Sequence, residues 1–271
     1  MKNSSAQSLR SFPLVLALLS VCQLLSSAAP TPVRHINGTM HGFLQLRSDD
    51  GKVVAAGDLV QVVSGSQVTA RLLFHFTDGS TDDETTVFSQ RRTFQLISYH
   101  HIQKGPSFPH PIEMTIDART GTVTIHSTGN DGKEAVKTSH VQLPLDLGNG
   151  LISYILENGP PAATPIKVPL LVATPSPRLV TLSISPVGDE SYSLAGSARK
   201  ATHYEIKIEL GGVAGIVAPM IGKNPPNIQV WILGGQAPAF IREQGPLYLD
   251  GPVITMELVS PMWPSSSKSN E

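Results

Sequence analysis

Nine histidines and 21 carboxylate side chains are the groups with which this 271-residue chain could do proton or metal chemistry. Two groupings stand out by spacing. His100 and His101 are adjacent, with His75 and His110 as candidate third ligands to a metal ion. Neighbouring residues of a strand point to opposite faces, so the pair cannot share one ion without a bulge. Alternation puts His100 on the face of Phe94, Leu96 and Ile102, and His101 with Tyr99 and Gln103. The expectation is one partly buried histidine, one surface histidine and no metal site. Asp78, Asp82, Asp83 and Glu84 form an acidic cluster. A calcium loop needs carboxylates at alternate positions and a distal bidentate Glu, and this spacing does not match. The cluster reads as a solvated hairpin tip.

The motifs of the common enzyme classes are absent: no G-x-S-x-G, H-E-x-x-H, Walker loop or G-x-G-x-x-G occurs. A catalytic triad is defined by geometry rather than spacing, so a hydrolase around His100, His101 and Asp78 stays open as a minor reading. No catalytic residue, cofactor or metal is assigned. A further feature is apolar. Val213–Ile221, inside a Gly- and Pro-rich stretch at 211–226, has no charge and is far too short to span a membrane. It either folds back over the open end of a sheet or is an exposed tip that touches lipid or an apolar ligand through residues such as Val217 and Met220.

Composition narrows the classes. The chain has 20 Lys+Arg against 21 Asp+Glu, so it has no basic field for nucleic acid. A single Cys excludes an internal disulfide and a Cys-based zinc site. With 23 Gly and 22 Pro, a helical bundle is disfavoured.

The elements that must hold these groups begin after a leader. Lys2 and Arg10 precede an apolar run, Phe12–Leu25, followed by Ser26, Ser27 and Ala28. The run is roughly 21 Å as a helix against a hydrocarbon core of roughly 30 Å. It reads as a signal peptide, residues 1–28, cleaved after Ala28. Leu19-Ser20-Val21-Cys22 is an alternative lipoprotein signal, although Val21 stands where a small residue is usual. Cleavage after Ala28 leaves 18 Lys+Arg against 21 Asp+Glu and no Cys. A disulfide-free exported chain points to a bacterial periplasm or outer surface. Asn37-Gly38-Thr39 matches a glycosylation sequon but reads as a turn.

Residues 29–264 are expected to form one β-rich domain and 265–271 a polar tail. Period-2 alternation recurs at 40–46, 72–76, 122–126, 203–210 and 254–258. Asp-Gly pairs at 50, 78, 131 and 250, with Thr120-Gly121, mark tight turns. About ten strands are predicted, with 38–145 and 165–260 as two halves of one curved sheet. Residues 159–177 are Pro-rich and read as a loop or irregular edge strand. Leu151, Ile152, Ile155 and Leu156 make one short helical stripe. Ile228–Leu233 is apolar on both faces, so both must be covered. Trp231 is then expected inside a cavity or at its rim.

The order of helix 151–156, Ala201–Leu210, Val230-Trp231-Ile232, Ala237-Pro238-Ala239-Phe240, Asp250-Gly251 and Ile254–Leu258 resembles a family of bacterial exported β proteins of unknown function. Those are similar in turn to half-barrel lipoprotein carriers of the Lol type. The resemblance covers roughly residues 148–260 and implies a curved antiparallel half-barrel around a short helix, with an apolar concavity and no catalytic residues. The functional expectation is a non-enzymatic envelope protein that binds a hydrophobic ligand, lipid or lipoprotein segment. Ile155, Trp231, Phe240, Val217 and Met220 are the expected lining, and 213–221 is the expected membrane contact. The alternative is a structural module with a filled core and a free strand edge.

Overall fold

A computed structural model describes residues 30–129, 132–159, 165–173, 177–194, 196–209, 226–248 and 250–260. The expected signal peptide at 1–28, the expected tail at 265–271, and Val213–Ile221 with Val217 and Met220 lie outside these residues. The first half holds β1 (Met40–Ser48), β2 (Val53–Ser64), β3 (Gln67–Phe76), β4 (Thr81–Gln90), β5 (Phe94–Lys104), β6 (Ile112–Asp117), β7 (Thr122–Thr128) and β8 (Glu134–His140). One helix follows, α1 (Ile152–Asn158). The second half holds β9 (Ile166–Val172), β10 (Arg178–Leu194), β11 (Ser197–Glu209), β12 (Ile228–Leu233), β13 (Ala239–Pro246) and β14 (Val253–Val259).

All fourteen strands belong to one antiparallel sheet, ordered β8 through β1, then β14 down to β9. Each half is thus a meander, and the two meet where the first strand pairs with the last. The seam runs from Phe43 opposite Val259 to Ser48 opposite Ile254. On its outer face Glu257 accepts from Gln45 Nε2 at 2.6 Å and from Arg47 Nε at 2.7 Å. The expected curved, unclosed half-barrel around a short helix is the fold observed, with two halves of one sheet.

Fourteen strands replace the predicted ten because several lack apolar alternation. β4 opens on Thr81-Asp82-Asp83-Glu84, so three of the four acidic residues are strand and only Asp78 sits at the hairpin tip. Its charges are tolerated because Asp83 pairs with Arg71 and Asp82 with His101. The predicted turn at Asn37-Gly38-Thr39 is instead an irregular approach to β1, because Gln90 accepts from the Asn37 N–H and donates back to its carbonyl. The Pro-rich segment does contain an edge strand: β9 carries Pro169 at the end of the sheet.

The concave face carries two apolar clusters. The larger gathers Val68, Phe88, Phe94, Ile116 and Val123 from the first half and Val168, Leu182, Ile206, Val230 and Ile232 from the second. The helix inserts between them with Tyr154, Ile155 and Leu156. A seven-residue helix is not stable alone, so this packing holds it. Its start is fixed by Gly150 (φ +67°), where a side chain would run into Thr86 of β4. The smaller cluster is built on Leu44, Leu46, Phe74, Phe76 and Phe108, with the last two rings edge to face at 5.3 Å. Gly57 lets the Phe74 ring lie flat on β2, in space a Cβ would take.

Candidate ligand-binding cavity

Between the two clusters the concave face is open. A cavity of about 890 Å³ takes its lining from both halves of the sheet and from α1. Most of the wall is aliphatic, including Leu59, Leu72, Ile112, Met114, Leu170 and Met256. This follows from the alternation of the strands, whose inward positions are apolar.

One part of the wall is polar, and two β-bulges turn it inward. In the β4–β5 ladder Val87 faces Ser98 and Phe88 faces Leu96, so Ile97 is extra. Leu96 and Tyr99 therefore both face the interior, and His101 and Gln103 follow Tyr99. His100 is turned out, where its Nε2 meets Glu113 at 2.7 Å. This corrects the alternation that placed His100 with Phe94 and Leu96. The prediction of one half-buried and one surface histidine holds, with His101 the buried one. The second bulge is in the β12–β13 ladder. Trp231 faces Arg242 and Ile232 faces Phe240, so Ile241 is extra. Phe240 and Glu243 both line the cavity as a result.

The polar side chains are linked. Tyr99 donates to Glu84 at 2.7 Å. His101 Nε2 is 2.7 Å from Asp82, which also accepts from Gln103 at 2.9 Å. Burial works against a charged His101, but the bond to Asp82 and its negative charge prevail and raise its pKa. From the helix, Tyr154 donates to Gln61 at 2.8 Å, and Glu157 accepts the Phe240 N–H at 2.9 Å. Burial raises the Glu84 carboxyl above its usual range. Burial pushes Glu157 up to about 7. It pushes Glu243 up to about 7 as well, with the Glu84 charge adding to the effect.

The expected lining is only partly brought together. Phe240 lines the cavity. Ile155 is core and borders only a separate void of about 20 Å³. Trp231 is neither inside nor at the rim, because it sits on the outer face of β12. There it stacks on His203 at 4.4 Å, lies under the Arg242 guanidinium, and donates to Glu190 at 3.0 Å. These partners supply the cover that an apolar outer face requires. His110 lines the cavity, whereas His75 is exposed on β3. His100, His101 and Asp78 do not meet in one pocket: Asp78 holds Ser80 and Ser107 at a turn. Among the described residues, no group of three or more His, Cys, Asp or Glu is arranged to hold a metal ion.

Sequence reasoning missed Tyr154, Glu157 and Glu243 and misplaced Glu84. Glu157 was the legible one, a carboxylate at the end of an otherwise apolar helix. Glu243 was hidden by the bulge at Ile241, which period-2 reading cannot see.

No protein-family model and no curated protein matches the chain. Among solved structures it is similar to a β-barrel-like protein of the domain of unknown function DUF1849 from Brucella abortus. That match has 9% identity and a TM-score of 0.44, and covers 84% of this chain and 100% of the other. It is also similar to the hypothetical lipoprotein YmcC from Escherichia coli K12, at 10% identity and a TM-score of 0.32, over 82% and 85% of the two chains. Both are bacterial. Neither likeness bears on function, and neither establishes the expected link to Lol-type carriers.

Proposed function

We propose that this protein binds an apolar or amphiphilic molecule in the concavity between its sheet and α1. The observation that carries this reading is the cavity itself. A filled concave face was the alternative, and a space of about 890 Å³ lies there instead. That is within the range of small-molecule sites, which are concave, mainly apolar and carry a few placed polar groups. A purely structural half-barrel gains nothing from such a void, since unfilled apolar volume costs stability. The chemistry supports binding rather than turnover, because Tyr99, His101, Gln103 and Tyr154 are bonded to Glu84, Asp82 and Gln61 and form no nucleophile–base pair.

The reading includes export: residues 1–28 act as a leader, and 213–221 contributes an apolar contact at a membrane surface. Amino-terminal sequencing of the mature protein is expected to begin at Ala29. A lipid-modified Cys22 at the new terminus would replace that assignment. Mild purification followed by native mass spectrometry is expected to show a bound apolar species that leaves on organic extraction. Ala239→Trp, which adds bulk to the cavity wall, should abolish that species while leaving the circular dichroism of the sheet unchanged. A wild-type protein that never carries or takes up an apolar molecule would sink the proposal.

A further inference from the structure

The ends of the cavity wall differ in charge as well as polarity. Glu84 comes from β4, Glu157 from α1 and Glu243 from β13, yet all three line one cavity. Their unused acceptor capacity is what matters. Glu157 spends one oxygen on the Phe240 N–H, and Glu84 accepts from Tyr99. Glu243 is partly buried in the wall, and its side chain makes no hydrogen bond or ion pair with a described residue. Among the described residues no lysine or arginine is bonded to any of the three. The other titratable or charged groups on the wall are Tyr99, His101, His110, Tyr154, Arg178, Tyr248 and Asp250. His101 is bonded to Asp82 and its charge also favours ionised Glu84, and Arg178, on β10, and His110 are the other basic groups on a wall with four carboxyls. An ionised carboxyl on an apolar wall without a cationic partner, as at Glu243, is costly, and an enclosed cation would satisfy it.

We propose that the ligand is an amphiphile with a primary ammonium head, its amine seated between Glu84 and Glu243 and its alkyl body along the aliphatic wall. This rests on the proposed ligand-binding role and deepens it. An ammonium group offers three donors and no acceptor, which suits the oxygens of two neighbouring carboxylates. An anionic head meets like charge. A neutral alcohol leaves most acceptors unpaired. Because Glu243 takes up a proton near neutrality, at about 7, the cation binds with proton release, and its affinity falls as the solution is acidified.

The test is calorimetric titration of the full mature chain with decylammonium, 1-decanol and decanoate, each below its aggregation concentration. At about pH 8 decylammonium is expected to bind about tenfold or more tighter than either of the others, and this preference should shrink at about pH 5. The double variant Glu84→Gln, Glu243→Gln should lose about tenfold or more in decylammonium affinity and keep its affinity for decanol, which also shows that it is folded. Decanoate binding as tightly as decylammonium, or an unchanged preference in the double variant, overturns the ammonium assignment and leaves the apolar site standing. Failure of all three to bind overturns both.

Discussion

Replacing Glu243 with Gln removes a charge that the fold must otherwise bury. Its folded pKa, about 7, lies above the ordinary value of 4.5. The folded state therefore holds its proton more tightly than the unfolded one. The linked stability is fully present below about pH 4.5 and is lost as pH rises through about 7. Glu243→Gln is accordingly expected to raise urea-unfolding stability by roughly 1–3 kcal/mol at pH 8 and to give no such gain at pH 4. Equal gains at both pH values would show that the effect is not ionic. The same residue shows where reading from sequence stopped. Apolar alternation is visible in a sequence because solvent sorts side chains by face. A bulge adds one residue to one strand and leaves no compositional mark. The inner assignments of Tyr99 and Glu243 depend on Ile97 and Ile241, which look like ordinary strand residues. Trp231 failed for another reason. Its strand is apolar on both faces, which reads as requiring a cavity at Trp231, whereas cross-strand His203 and Arg242 cover the ring outside.

Among the elements, α1 was legible within two residues because its stripe is short, apolar and bounded by Asn149-Gly150 and Asn158-Gly159. What holds it in place was not. Gly150→Ala must bear both a left-handed backbone and contact with Thr86, whose Cβ would lie 2.9 Å away. Gly132→Ala has a similar φ (+75°) and open space around it. The first is expected to lose about 2–4 kcal/mol in urea unfolding and the second about 1 kcal/mol, so their difference isolates the helix–sheet contact. The segment before the helix also guards the β9 edge. Asn149 accepts from the Leu171 N–H and donates to its carbonyl, both at 2.9 Å, and the Gly148 N–H bonds Pro169. A side-chain amide thus imitates a neighbouring strand on an edge that would otherwise be bare. Asn149→Ala should cost about 2–3 kcal/mol. It should also abolish hydrogen-exchange protection at the Leu171 amide, and retained protection would contradict this capping role.

At the scale of the molecule, the division into two halves of one sheet was readable because each half is a run of local hairpins. Their junction was not, since no local pattern announces that β1 will meet β14. The two ends of the sheet are treated differently. β8 is exposed along nearly its whole length, whereas β1 and β14 are flanked on both sides. Amides of β8 are expected to exchange orders of magnitude faster than those of the seam, in the manner of local opening. Equal rates would mean that the sheet opens only as a whole.

The seam has a kinetic side. Gln45 and Glu257, which meet across it, are 212 residues apart in the chain. Every hairpin can form while its neighbours are still unfolded, but this pairing waits for the last strand. The entropy of closing so long a loop makes it the late and slow contact of folding. Until it forms, two half-sheets exist side by side, with β1 and β14 both bare and free to pair with the wrong chain. A nascent or threading chain therefore carries its greatest aggregation risk just before completion, and the time spent there sets how much help it needs to fold.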